Sequence, residues 1–499
     1  MVAGTYGRYM TTAPKQPNLL FIVSDQQRSD TMECYGAPHV NSEALNSLAD
    51  RSFVFENAYV SQPVCTPSRA TMLTGLYPQS AGMMKNNIVL DPAIKSIAEM
   101  VDDEYHCAYY GKWHLGNETT PQHGFEEWIP LADLPWVIDH PDTPYHQFLL
   151  KNGVEPDHVT ATGEHVYSAR QRVSLPEPLT MASFLANEAA RFLQEERDEP
   201  FMLQVHFFEP HNPYTGPLNG THDPDSLPVG PAFLKHPEGT SLFNRVRADF
   251  YMTDSGPHPK MGEFGDGSAE EKWRKLRAQY YSNVELVDHA VGKILAALDD
   301  SGKADETIVV FTSDHGEMAG DHGLLEKRAF YEESAKVPFL LHVPWLKEES
   351  RMLPGNVGHI DLVPTLLDLM GQPVPDHLQG VSRVPVLIGD ESLEENDVFV
   401  QWNGLGDRDL GVLEANLLGA MARRSIITSH VGSDGTLERW KLNLCAGDVN
   451  ELLDLTGDPH EMTNLFEESD QRDRVREMAA KIRLWQHNTG DTVPLPSIN

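Results

Sequence analysis

Two apolar runs restrict the folds open to this chain more than any other feature. Leu19-Leu20-Phe21-Ile22-Val23 and Ile308-Val309-Val310-Phe311 carry no polar residue at alternate positions. A strand with one wet face alternates, so an unbroken apolar run, β-branched in the second case, reads as a strand buried on both faces, as in a parallel sheet covered by helices. Ahead of the second run lies the clearest helix, residues 270–299. There Val284, Val287, Val291, Ile294 and Leu298 recur at three- and four-residue steps and make one apolar face. Other helices are expected at 41–51 (with Asn41 and Ser42 as caps), 67–76, 181–196 and 362–371. Strands are expected at 18–24, 52–60, 105–110, 201–208 and 338–343. This alternation predicts an α/β fold with a mostly parallel, doubly wound sheet sandwiched by helices.

The pattern changes near residue 385. Short strands at 397–402, 417–421, 425–429 and 438–444, then a helix at 470–488, predict a smaller antiparallel sheet with a packed helix. The chain is therefore divided into a large α/β domain, 1–385, and a C-terminal subdomain, 386–499. Segments 117–180 and 212–267, rich in Pro, Gly, His and Asp, read as insertions above the sheet, where binding loops lie.

The formal net charge of −35 (39 basic against 74 acidic residues) argues against a nucleic-acid partner and against docking on anionic membranes. Any anion site must then be locally positive. Cys34, Cys65, Cys107 and Cys445 form neither a CxxC pair nor a disulfide framework. The first seventeen residues lack a continuous apolar core, so a cytoplasmic location is expected, with export left open.

Chemistry-bearing residues cluster just past the predicted strand ends, where open α/β sheets hold their ligands. Asp25-Gln26 and Asp314-His315 together offer two carboxylates, an amide oxygen and an imidazole, a donor set for Ca²⁺, Mg²⁺ or Mn²⁺. Alone, such pairs are as readily turns or helix caps. Cys65 precedes Pro67 and Ser68, which pre-set a helix start, so it sits where free backbone N–H groups favour an anion. The plain alternative is a buried cysteine before a capped helix. Lys112 and His114, two apart after a strand, would face one pocket. His211 lies between Pro210 and Pro213, and Lys327 thirteen residues past Asp314. His322 is a further candidate, or a loop support.

Together these clusters resemble the sulfatase family of the alkaline-phosphatase-like superfamily. The segment Cys65-Thr66-Pro67-Ser68-Arg69-Ala70-Thr71-Met72-Leu73-Thr74-Gly75 matches the family signature C-x-P-S-R-x-x-x-L-T-G at every fixed position. Gly111-Lys112-Trp113-His114-Leu115-Gly116, Thr312-Ser313-Asp314-His315-Gly316 and Glu451-Leu452-Leu453-Asp454-Leu455 resemble further family motifs, in the family's order.

The resemblance implies that Cys65 is converted to formylglycine by a separate modifying enzyme. It implies that Asp25, Gln26, Asp314 and His315 hold a cation, Ca²⁺ first, and that Arg69 and Lys112 steady the aldehyde hydrate. Lys327 and His211 would contact the sulfate and the leaving oxygen, with His211 as general acid and Lys327 as its competitor. His114 would take a proton from the hydrate. The implied substrate is a small-molecule or saccharide sulfate ester, whose charge a local cluster of cations offsets. Distant carboxylates are screened over roughly 8 Å at physiological salt.

Many relatives have two adjacent aspartates after the first strand; here the second position is Gln26. Together with His315, this also resembles the phosphonate monoester hydrolase branch, whereas Lys112 and His114 look like true sulfatases. The rival readings are thus a phosphonate or phosphate diesterase, a non-catalytic binding protein on the same scaffold, and an unmodified cysteine hydrolase. His222 to Pro228 resembles insertions of carbohydrate sulfatases, or is a proline-rich surface loop. Trp128, Trp136, Tyr145 and Tyr214 are candidates for stacking on a ring or for core packing.

Overall fold

The computed structural model describes residues 14–131, 142–252, 264, 267–346, 351–404 and 413–498. Trp136 and the extreme N-terminus, on which the location was read, lie outside the described residues. No described helix is long and apolar enough to cross a membrane.

The large sheet is built from β1 (Asn18–Asp25), β2 (Phe53–Tyr59), β3 (His106–Gly111), β4 (Glu127–Pro130), β5 (Phe201–Pro210), β6 (Thr307–Ser313), β7 (Phe339–His342) and β8 (Arg351–Gly358). Their spatial order is β8-β2-β7-β6-β1-β5-β3-β4, and the short strand Lys336–Val337 pairs with β2. The two apolar runs lie side by side: β1 pairs in parallel with both β5 and β6 and is wholly buried. The strand expected at 338–343 is present as β7, but it runs antiparallel to both neighbours, so the sheet is mixed.

The helices are α1 (Glu43–Ala49), α2 (Cys65–Thr74), α3 (Met181–Gln194), α4 (Ala269–Asp300) and α5 (Leu362–Leu369). Alternate residues of β1 separate the two faces. Leu19, Phe21 and Val23 share a core with Met72 and Leu73 of α2 and Leu366 of α5. Leu20 and Ile22 share one with Leu48 of α1, Leu185 of α3 and Val287 and Ile294 of α4. Each side chain in these layers removes apolar surface from water, about 25 cal/mol per Å².

Two local expectations are corrected. Ser42 is the N-cap residue of α1 but makes no capping bond. The free N–H groups of Ala44 and Leu45 donate instead to Asp288 of α4, at 3.1 and 2.8 Å. The partners of a helix end can thus come from a distant element. Ser68 also fails to bond the first turn of α2. The helix already begins at Cys65, and Ser68 Oγ is buried without a hydrogen-bond partner among the described residues.

The C-terminal sheet contains β9 (Val398–Trp402), β10 (Arg423–Val431), β11 (Leu437–Leu444) and β12 (Glu451–Asp454), antiparallel in that order. The strand expected at 417–421 is a correction: Leu413–Gly419 is a helix, α6. A short apolar run does not distinguish strand from helix, and the helix-forming Leu-Glu-Ala start decides it. The fourth strand, β12, falls in the motif read at Glu451–Asp454. The last helix, α7 (Arg472–Thr489), packs Val475, Met478, Ala479 and Ile482 on this sheet.

Candidate active site

Because β1 and β6 are parallel neighbours in register to Ser24 and Ser313, their ends deliver Asp25 and Asp314 side by side. The chain turns at Gln26, whose φ is +72° and whose N–H donates to Asp314 Oδ1 at 3.1 Å. From one face of the sheet α2 brings Cys65, its first residue, and Arg69, one turn later. Cys65 Sγ lies 3.2 Å from His315 Nε2 and 3.9 Å from Lys112 Nζ.

Cations knit the floor together. Asp25 Oδ2 pairs with Lys112 Nζ at 2.6 Å and Arg69 Nη2 at 3.1 Å. Arg69 Nε pairs with Asp314 Oδ2 at 2.8 Å. Cys65, Arg69, Lys112, Asp25, Asp314 and His315 are all at most 1% exposed. Water therefore screens these charges little.

The electrostatics follow from the geometry. Burial pushes the Asp25 carboxyl up, but Lys112, His211, Arg69 and His315 together hold it well below the usual carboxylate range. Burial and then the charge of Asp25 push Asp314 up. Burial and Asp25 both raise the Cys65 thiol, yet Lys112, Lys327 and His315 outweigh them and hold it well below an ordinary thiol. A nucleophile-sized group at position 65 is thus placed in a positive pocket despite the acidic chain.

The other predicted residues are accounted for as follows. Lys327, 3% exposed, donates to Gln26 Oε1 at 2.5 Å and to His211 Nε2 at 2.9 Å. Gln26 therefore directs its amide oxygen at Lys327 here. His211 Nδ1 faces the Asn212 carbonyl at 2.8 Å, so Nδ1–H donates and Nε2 accepts from the lysine. Burial, then Lys327, push His211 down to about 3.

Lys112 and His114 do not share a side by strand alternation. Strand β3 ends at Gly111, whose φ of +110° turns the chain against His206, where a Cβ would lie 1.9 Å from the carbonyl oxygen. Lys112 reaches Asp25, whereas His114 Nε2 bonds Asn87 Oδ1 at 2.9 Å and its carbonyl accepts from Thr66 Oγ1 at 2.7 Å. His322 stays outside this cluster. It stacks on Tyr331 at 3.8 Å between centroids, as a loop support.

Four supporting residues had no strong sequence signal. Glu317, fully buried, accepts from Tyr214 at 2.6 Å, from the Gln26 amide, and from the Ala319 and Glu326 N–H groups. It fixes which way the Gln26 amide points. Tyr214 is thereby a support and not a stacking platform; Trp128 likewise stacks on Tyr109. Asn87 orients His114. His206 accepts from Arg69 at Nδ1, 3.1 Å, and bonds Gln204 through Nε2 at 2.9 Å. The available signals were Glu317 three residues past Asp314, and Gln204 and His206 as polar residues within an otherwise apolar strand.

A family model described as Sulfatase matches residues 17–372. The uncharacterized sulfatase YidJ of Escherichia coli K12 is 29% identical over 458 residues, covering 91% of this chain and 84% of that protein. A choline-sulfatase of Rhizobium meliloti is 29% identical over 482 residues, covering 92% and 83%. The solved phosphonate monoester hydrolase of Agrobacterium radiobacter superposes with a TM-score of 0.73 at 25% identity, covering 95% of this chain and 96% of that one. The chain belongs to the sulfatase family and is a sulfuric ester hydrolase on an alkaline-phosphatase-like fold.

Proposed function

We propose that the chain hydrolyses the sulfate ester of a carbohydrate or aryl alcohol to the alcohol and inorganic sulfate. In this reading Cys65 is matured to formylglycine by a separate enzyme, and a divalent cation, Ca²⁺ before Mg²⁺ or Mn²⁺, sits beside it. One observation carries the proposal: ligand atoms of Asp25, Cys65, Asp314 and His315 lie within 4.8 Å of one another, all buried.

The residues present fit a cation. Asp25 Oδ1 is buried without a hydrogen-bond partner among the described residues, and a second carboxylate stands beside it. Asp25, Gln26, Asp314 and His315 would hold the ion, which when bound supplies Lewis-acid polarisation of oxygens at sulfur. Cys65 Sγ stands in for the oxygens of the matured residue. That residue, as a hydrate, supplies one hydroxyl to attack sulfur and a second that allows sulfate to leave.

The chain's own residues then have distinct tasks. Arg69 and Lys112 hold position 65 and offset charge on the sulfate oxygens. Lys327 donates to His211 Nε2, so the leaving oxygen takes its proton from this pair. His114 is fixed through Nε2 by Asn87. Its Nδ1, buried without a partner among the described residues, is the atom left to accept a proton.

A second reading, phosphonate monoester hydrolysis, is favoured by Gln26 and by the solved hydrolase above. Turnover of an aryl sulfate and an aryl phosphonate ester discriminates. The sulfate is expected to have the higher kcat/KM by about 100-fold; the reverse order overturns the assignment. Mass spectrometry of the Cys65 peptide tests the maturation. An intact thiol in fully active protein contradicts it.

A further inference from the structure

A cavity of about 320 Å³ adjoins the reactive centre, lined by Tyr145, Arg172, Met181, Phe208 and Glu209, with His211 also on its wall. Two residues join it to the chemistry. His211 touches Lys327 at 2.9 Å, and the Phe208 ring centroid lies 5.3 Å from Lys112 Nζ. The cavity therefore opens beside the atoms assigned to the leaving oxygen, and the alcohol part of the ester would fill it.

Its walls are selective. Tyr145, Met181 and Phe208 present apolar and aromatic surface, while Glu209 presents a carboxyl group. Glu209 is 8% exposed, and its Oε2 is buried with no hydrogen-bond partner among the described residues. The backbone N–H groups of Ala182, at the start of α3, and of Glu209 itself favour the charged carboxylate. Burial pushes it up to about 7, as expected of an acid without a compensating charge. Glu209 is the one acidic residue among those lining the cavity, and a donor on a ligand would meet its carboxyl there. At the small end of ligand cavities, this space suits a single ring.

We infer that Glu209 is a specificity-determining residue, binding a hydroxyl or ammonium donor on an alcohol about the size of one sugar ring. This rests on the sulfate-ester reading above. A sugar hydroxyl and an amino alcohol share the donor chemistry, and the test separates them.

The matured enzyme and its Glu209→Leu and Glu209→Gln variants are assayed on 4-nitrophenyl sulfate, glucose 6-sulfate and 2-aminoethyl sulfate. Wild type is expected to cleave at least one donor-bearing ester. Glu209→Leu lowers kcat/KM for that ester roughly 10- to 100-fold. It changes the nitrophenyl ester by less than about threefold, because that alcohol offers no donor to lose. Glu209→Gln keeps an acceptor oxygen, so it restores much of the activity if the donor is a hydroxyl and little if it is an ammonium. Equal losses on all esters with both variants, or cleavage of the nitrophenyl ester alone by wild type, overturn the inference while the sulfatase reading stands. Failure of wild type on every sulfate overturns both.

Discussion

Two of the protein's buried charge clusters are built in opposite ways. Between the large sheet and the C-terminal sheet, Lys441 Nζ donates to the Phe330 carbonyl, Glu332 and Glu461 at 2.6, 2.9 and 2.7 Å. Glu332 is also held by Tyr59 and by Arg439 at 3.1 Å, and the second oxygen of Glu461 accepts from the Glu332 N–H at 2.7 Å. Every carboxylate oxygen and ammonium proton there has a partner. At the reactive centre, by contrast, Asp25 Oδ1 at the end of β1 and His114 Nδ1 past β3 have none among the described residues, and Asp314 lies beside another acid. Saturated buried charge fastens two layers together. The unsaturated groups are the ones to which the proposed function assigns a cation and a proton, and their cost is met by the surrounding fold.

Four experiments break or sharpen that contrast. The largest effect is expected at Cys65→Ser. Serine has one hydroxyl where the matured residue has two, so the variant takes one sulfonate group, releases the alcohol and stalls. Turnover falls by at least about 10⁴-fold, while the melting temperature barely moves. Rapid repeated turnover by this variant would falsify the scheme.

Lys441→Met should act the other way round. It leaves Glu332 and Glu461 buried with less compensation, which costs about 3–5 kcal/mol of stability in denaturant unfolding. The variant's remaining folded fraction should keep a near-normal KM. A loss of activity without a loss of stability would mean that the second cluster is not merely structural.

Removing and restoring the cation comes next. Chelation should lower the melting temperature, and Ca²⁺ at about 100 times its Kd should return about 2.7 kcal/mol. Asp314→Asn should abolish that gain, and Lys441→Met should preserve it. A wild type whose unfolding ignores chelator and Ca²⁺ would leave the cation reading without support.

The smallest effect concerns acid. Burial raises Glu332, but Lys441 and Arg439 outweigh it and hold its carboxyl below the usual range. A carboxylate with a lowered folded pKa adds stability that is present above its unfolded value and is lost as pH falls through the folded one. Wild type should therefore lose stability from about pH 5 downward, and Lys441→Met should flatten that slope by about 1–2 kcal/mol. Parallel slopes in the two proteins would remove Lys441 as the cause.

Particular residues mark how far the sequence could be read. The runs at Leu19 and Ile308, and the 3.6-residue pattern through Val284 to Leu298, specified strands and a helix because local periodicity encodes which face is buried. The motifs around Cys65, Lys112 and Asp314 were legible for another reason: their chemistry needs fixed residue types at fixed spacing. Leu413–Gly419 misled, since a few apolar residues satisfy either period. Asn87 was silent, since its work is to orient His114 and nothing near it in sequence reveals that partner.

Sequence by itself determined the α/β alternation, the acidic surface and the set of groups available for chemistry. Only the tertiary structure decided that β7 runs antiparallel, that Asp288 caps α1, that Lys327 is bound to both Gln26 and His211, and that Glu209 faces a cavity beside them. The physical reason is range. Propensity and periodicity act over a few residues, whereas a buried charge is placed by partners that may lie three hundred residues away, as Lys327 and Gln26 do at a separation of 301.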